Sequence, residues 1–96
     1  MLESKFQREL KKELSERFDG CIVLNNDANF LQGFPDLTIL YHNKWAVLEC
    51  KQSPDSPYRP NQKFYLKLLD AMSFARSINP DNKEEVLNEL QRAFSS

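Results

Sequence analysis

Gly33-Phe34-Pro35-Asp36-Leu37-Thr38-Ile39-Leu40-Tyr41-His42-Asn43-Lys44-Trp45-Ala46-Val47-Leu48-Glu49-Cys50-Lys51 is the stretch that decides the fold. Leu37–Tyr41 and Trp45–Cys50 are rich in β-branched and aromatic residues, and the polar break His42-Asn43-Lys44 between them predicts a hairpin. With His42-Asn43 as a two-residue turn, Tyr41 pairs with Lys44, and counting outward sets Asp36 opposite Glu49. Directly opposed residues share a face, with Cβ atoms about 5 Å apart. Lys51, two residues beyond Glu49, falls on that face as well. A slip of one residue would put Asp36 on the face opposite Glu49 and Lys51, so the turn length carries the reading.

Upstream, Leu2, Phe6, Leu10, Leu14 and Phe18 form one apolar stripe and predict a helix over 2–18, stopped by Gly20. Cys21-Ile22-Val23-Leu24 reads as a short strand. Asn25 to Gly33 reads as loop, with Phe30 and Leu31 expected to tuck inward. Downstream, Ser53–Pro60 carries Pro54, Pro57 and Pro60 and is a loop. Asn61–Met72 is predicted helical, with Phe64, Tyr65, Leu68, Leu69 and Met72 facing inward. Phe74–Ile78 fits a last strand. Asn79-Pro80 then opens a closing helix with Asp81 and Glu84 at capping-box spacing and Val86, Leu87, Leu90 and Phe94 on its apolar side. The expected fold is a single α/β domain over 1–96, in the order α-β-β-β-α-β-α, with a mixed sheet flanked by helices.

The chain has 96 residues, 41% of them hydrophobic and 28% charged, which is the composition of an ordinary globular domain. No apolar run approaches the ~18–20 residues of a membrane helix, and the start lacks a signal-peptide layout, so a cytoplasmic location is expected. A net charge of −1 excludes a strong overall basic field. Local charge is uneven: Lys5, Arg8, Lys11, Lys12 and Arg17 load the first helix, Lys51, Arg59, Lys63 and Lys67 follow the hairpin, and acid collects at Asp81, Glu84, Glu85 and Glu89. Arg59, Lys63 and Lys67 are candidate contacts to a nucleic-acid backbone, although solvated helix charge explains them as well. Cys21 and Cys50 lie in apolar runs and are expected to be free, buried thiols. Without a CxxC pair or a histidine cluster, a zinc site is not expected.

Asp36, Glu49 and Lys51 are the residue types that metal-assisted phosphodiester hydrolysis requires. Carboxylates hold a divalent cation, and a positive side chain steadies the charge of the phosphate under attack or helps activate water. Magnesium keeps several waters, so two or three protein ligands suffice, and the backbone carbonyl of Cys50 is a further candidate oxygen ligand. Glu49 and Lys51 follow Trp45-Ala46-Val47-Leu48, a run that reads as buried; a carboxylate there needs a partner or a cation. His42, in the turn, is far from this end of the strands. Asn25 and Asn26 either line the site or simply form the turn.

Pro35-Asp36…Glu49-Cys50-Lys51 resembles the signature of the PD-(D/E)XK nuclease superfamily, and the expected element order is similar to that of its restriction-endonuclease-like core. Within it the chain looks like the virus-type replication-repair nucleases (VRR-Nuc) and, less closely, the archaeal-type Holliday junction resolvases. Three further features carry this: Glu3 near the start of the first helix, Gly33-Phe34-Pro35-Asp36, and Gln62 opening the helix after the Glu-Cys-Lys strand. The resemblance implies a Mg²⁺- or Mn²⁺-dependent DNA endonuclease acting on branched DNA such as Holliday junctions, often as a homodimer, in a bacterial or virus-infected cell. Glu3 would join Asp36, Glu49 and the Cys50 carbonyl at the metal. Lys51 would be base or charge stabiliser, and Gln62 would orient water or contact phosphate. An acidic residue in a first helical turn is also favoured by the helix dipole alone, and Gln62 reads equally as a surface amide. The competing readings are a catalytically silent nuclease-like binding or interaction module and an enzyme acting on RNA or single strands.

Overall fold

The computed structural model describes residues 3–27 and 29–96. Its hairpin joins β2 (Leu37–Tyr41) to β3 (Lys44–Cys50), with Tyr41 paired to Lys44 and Leu37 to Leu48. The two-residue turn therefore sets the expected register, and the positive φ that the tight turn demands falls on His42 (φ +54°). On one side β1 (Ile22–Asn25) pairs antiparallel with β2; on the other, β4 (Ala75–Ile78) pairs parallel with β3. Parallel neighbours need a crossover, which is supplied by α2 (Gln62–Met72). With α1 (Lys5–Arg17) and α3 (Lys83–Ser95), the order is α-β-β-β-α-β-α around a four-stranded mixed sheet β1-β2-β3-β4, as expected.

The sheet's two faces are covered unequally. Leu37, Ile39, Ala46, Leu48 and Ile78 point to one face and pack against Leu10, Leu14 and Phe18 of the first-helix stripe and Val86, Leu87, Leu90 and Phe94 of α3. This is the main core, and its helix faces are those the 3.6-residue period predicted. The opposite face carries only α2, whose Leu69, Tyr65 and Leu66 close a smaller cluster on Val47 and Ala75 with Phe34 and Trp45. Among the described residues no helix is long and apolar enough to cross a membrane. Cys21 and Cys50 are free and half-buried.

Four expectations need correction. Ser4, not a residue further upstream, caps α1 by accepting the Gln7 N–H (3.1 Å), so Glu3 precedes the cap rather than lying in the first turn. Leu2, the first residue of the expected stripe, lies outside the described residues, as do Met1 and Ala28. Phe30 is 91% exposed and Leu31 is also exposed; the Asn29 and Phe30 N–H groups bond back to Asp27 in a local turn that holds these two side chains out from the core. Phe64, Leu68 and Met72 are exposed too: α2 sits over β3 and β4 on its Gln62–Tyr65–Leu66–Leu69 side, and those three occupy the adjoining sector. Finally, α3 starts at Lys83 without an Asp81–Glu84 capping box. Asn79 Oδ1 takes the N–H groups of Asp81 and Asn82, while Asn82 Oδ1 takes that of Asn79, so the turn is closed before Asp81 can cap.

Candidate active site

The hairpin and the crossover meet where β3 ends. Pro35 is fully buried, and Asn26 holds the segment that follows it: the Asn26 side chain donates to Pro35 O (2.8 Å) and to Thr38 Oγ1 (2.9 Å), and its N–H donates to Asp36 O (2.8 Å). Gly33 adopts φ +87°, and a Cβ there would lie 2.6 Å from Pro60 O and 2.7 Å from Asn61 Cβ. Only glycine meets both demands. The close approach brings the Pro35-Asp36 segment against the start of α2, where Asn61 is itself left-handed (φ +70°).

Asp36 then sits one residue before β2 and opposite Glu49 across the hairpin, and its Oδ2 accepts the Cys50 N–H at 2.9 Å. Glu49 is 4% exposed. Its Oε2 takes the Gln62 amide (2.8 Å) and lies 3.8 Å from Lys51 Nζ; its Oε1 is buried with no hydrogen-bond partner. Lys51 continues the parallel ladder through its N–H to Ile78 O (2.8 Å), and its Nζ donates to Gln62 Oε1 (2.7 Å) and Pro57 O (3.0 Å) beneath the Tyr58 ring. Gln62, buried at the first position of α2, thus holds both motif side chains while also accepting the Arg59 N–H (2.7 Å). An amide at this position therefore has a specific task, unlike the surface amide of its bland reading.

Burial first, and the neighbouring Asp36 charge second, push the Glu49 carboxyl up to about 7, against the opposing pull of Lys51. The same burial and the charges of Asp36, Glu49 and Glu3 push the Cys50 thiol up, so it stays a thiol and only its carbonyl is a metal-ligand candidate. A buried carboxylate oxygen without a donor, facing a second carboxylate, fits a small hard cation better than it fits a lone proton. The residues that would hold Mg²⁺ or Mn²⁺ are Asp36 and Glu49, with the Cys50 carbonyl and water completing the set.

Glu3 stands apart. Its Oε2 pairs with Lys11 Nζ at 2.9 Å, although its Oε1 is also buried and unpartnered. Among the described residues no three His, Cys, Asp or Glu side chains gather closely enough to hold a metal, so the structure brings together Asp36, Glu49, Lys51 and Gln62 and leaves Glu3 beside them. These four open on a cleft of about 720 Å³ that Arg59 also lines. Lys63 reaches the Tyr58 ring (5.2 Å), whereas Lys67 is exposed further along α2, outside the cleft lining. Sequence reasoning missed Gln7 and Gln32 on the cleft wall, and it left the role of Asn26 open. Asn26 had a detectable signal, an amide one residue past a strand, but that signal is shared by any turn.

Comparison with protein-family models, curated proteins and solved structures returned no match. The fold defines an α/β domain with a carboxylate pair and a lysine at the end of its third strand. What that domain does is argued from the site alone.

Proposed function

We propose that the chain is a divalent-metal-dependent nuclease of the PD-(D/E)XK type, hydrolysing DNA phosphodiesters at the Asp36–Glu49–Lys51 cleft. The observation that carries the reading is Glu49: a buried carboxylate with one oxygen unpartnered, set beside Asp36 and within 3.8 Å of a lysine, in an open cleft. Burying such a group is unfavourable unless a cation joins it. A bound Mg²⁺ or Mn²⁺ supplies Lewis-acid polarisation of the phosphate and lowers the pKa of bound water. Asp36 and Glu49 hold the cation's side of the site. Lys51, aimed by Gln62 and Pro57, presents positive charge or a proton acceptor beside it. Arg59 and Lys63, at the cleft and its rim, are placed for backbone phosphates.

The branched-DNA substrate class rests mainly on the resemblance to branched-DNA nucleases, and size is compatible with it. A 96-residue domain covers little of a duplex, and two copies with two clefts suit branched DNA such as a four-way junction. The test is cleavage of a panel of linear, branched and single-stranded DNA and RNA substrates, with Mg²⁺ or Mn²⁺, by the parent and by Asp36→Ala. Metal-dependent cutting of branched DNA by the parent alone is expected. Equal cutting of linear and branched duplex would remove the branched-substrate reading, and preference for RNA would move the substrate class. A second reading, a silent nuclease-like binding module, draws on the net charge of −1 and on Glu3's pairing with Lys11 away from the carboxylate pair. It is favoured if parent and variant are equally inert yet both bind DNA or a protein.

A further inference from the structure

Two successive turns shape the segment between β1 and β2. The Phe30 N–H bonds back to Asp27 O (3.1 Å) and the Phe34 N–H to Leu31 O (3.1 Å), so Phe30 and Leu31 fall where the two turns meet. Both ends of the segment are tied to the end of the sheet that bears Asp36. Asn26 grips Pro35 O and Thr38 Oγ1, and Gly33 lies against Pro60 and Asn61. The tip is therefore held in place relative to Asp36, with Phe30 91% exposed beside Asn29 and near Gln32, both of which line the cleft. A ring tethered in this way presents an uncovered π-face at the cleft rim.

Apart from Asp36, Glu49, Lys51 and Arg59, the polar residues of the cleft wall are uncharged, and four of them are the amides Gln7, Asn29, Gln32 and Gln52. The Lys51 ammonium is already taken up by Gln62 Oε1 and Pro57 O. Gln7 and Asn29 donate through their main-chain N–H groups, to Ser4 Oγ and Asp27 Oδ1, and among the described residues the four side-chain amides have no hydrogen-bond partner. Phosphate oxygens accept and do not donate, so a wall built to hold a nucleic-acid backbone carries lysine and arginine. An amide offers donor and acceptor together, which matches the mixed edge of a nucleobase. The volume of about 720 Å³ falls in the ~300–1,000 Å³ range of pockets that enclose a small ligand, and leaves room for one nucleotide.

We infer that the cleft seats one unpaired base of the cut strand, with Phe30 stacked on its face and the Gln7 and Gln32 amides on its edge. Inside a duplex, both faces of a base are covered by its neighbours and its pairing edge by its partner, so neither the ring nor the amides would find their contacts. An unpaired base at a branch has a free face and a free edge. Aromatic stacking accepts any base, because every base has a π-face, so Phe30 selects for the absence of pairing rather than for a sequence. Phe30 is then the residue that separates DNA with unpaired nucleotides at its branch, such as a flap or an open fork, from linear duplex. This assignment rests on the DNA-cutting reading for the identity of the strand, and narrows its substrate class.

The test is the affinity of the parent, Phe30→Ala and Phe30→Trp for a forked DNA carrying 2-aminopurine at its first unpaired position, and for a linear duplex of equal length. Ca²⁺ replaces Mg²⁺ during binding, and far-UV circular dichroism reports whether each variant keeps its fold. The parent should bind the fork more tightly than the duplex and quench the 2-aminopurine. Phe30→Ala should lose that quenching and bind the fork roughly 5- to 150-fold more weakly, the range for removing one aromatic stacking partner. Its duplex affinity and the salt dependence of its fork binding should match the parent's, because stacking releases no counterions. Phe30→Trp should restore both quenching and affinity. Equal binding of fork and duplex by the parent overturns the inference, as does a folded Phe30→Ala that holds the fork as the parent does. None of these readouts needs cleavage. A protein that seats the base yet cuts nothing with Mg²⁺ or Mn²⁺ would sink the nuclease reading while sustaining this one. A protein that cuts forks equally well with and without Phe30 would do the reverse.

Discussion

Replacing Glu49 by glutamine is expected to remove a pH-dependent weakness from the metal-free protein. Glu49 titrates near 7 in the fold against an ordinary value of 4.5, chiefly because burial and then Asp36 disfavour its charge. Between those two values the folded chain holds a proton that the unfolded chain has released, so each rise in pH removes stability. The contribution is intact below 4.5, falls through the interval and is gone above about 7. At roughly 1.4 kcal/mol per pH unit, the interval corresponds to about 3 kcal/mol. Glutamine mimics the protonated acid: its carbonyl can accept the Gln62 amide as Glu49 Oε2 does now, and its NH₂ can face Asp36. The assay is thermal unfolding in EDTA from pH 5 to pH 8. Relative to Glu49→Gln, the parent should lose about 3 kcal/mol, or roughly 10–20 °C of melting temperature for a chain of this length. Titrating groups remote from Asp36 and Lys51 are common to both proteins and cancel in the difference. Superimposable pH profiles would refute the reasoning, and so would a parent that gains stability over the variant as pH rises.

Other substitutions test neighbouring links. Gln62→Ala strips an acceptor from Lys51 and a donor from Glu49, and equilibrium urea unfolding should show a loss of about 2–3 kcal/mol. Lys51→Met should reduce DNA cleavage by ~100-fold or more while Mn²⁺ affinity, read by calorimetry, holds or rises because a neighbouring positive charge is gone. Gly33→Ala combines a positive φ with a Cβ inside contact distance of Pro60 and Asn61; about 2 kcal/mol or more of stability should disappear by the same urea assay.

Much of the fold was legible because one short turn fixed it. His42-Asn43 admits a single pairing, Tyr41 with Lys44, and from there Asp36, Glu49 and Lys51 reach a common face by counting alone. The first-helix and last-helix stripes were legible for a related reason: each has one apolar sector, and it faces the core. α2 was not, because its apolar residues fill two adjoining sectors and periodicity does not say which one meets the sheet. Phe30 and Leu31 misled in the same way, as apolar residues whose loop has no core to reach. Glu3 was placed in a helical turn because the apolar stripe was followed back to Leu2, although Ser4-Lys5-Phe6-Gln7 has capping-box spacing and the Gln7 N–H does point at Ser4. Gln62 could be named but not given a task, since its three partners come from Glu49, Lys51 and Arg59 and meet only in the folded chain.

The central claim is that Asp36 and Glu49 share one divalent cation beside Lys51. Diffraction from crystals soaked in Mn²⁺, collected for anomalous signal, tests it most directly. The account predicts one strong peak between the two carboxylates, within about 2.5 Å of an oxygen from each and close to the Cys50 carbonyl. Soaked crystals with both carboxylates ordered and no peak there, or with Mn²⁺ bound only elsewhere on the chain, would contradict it.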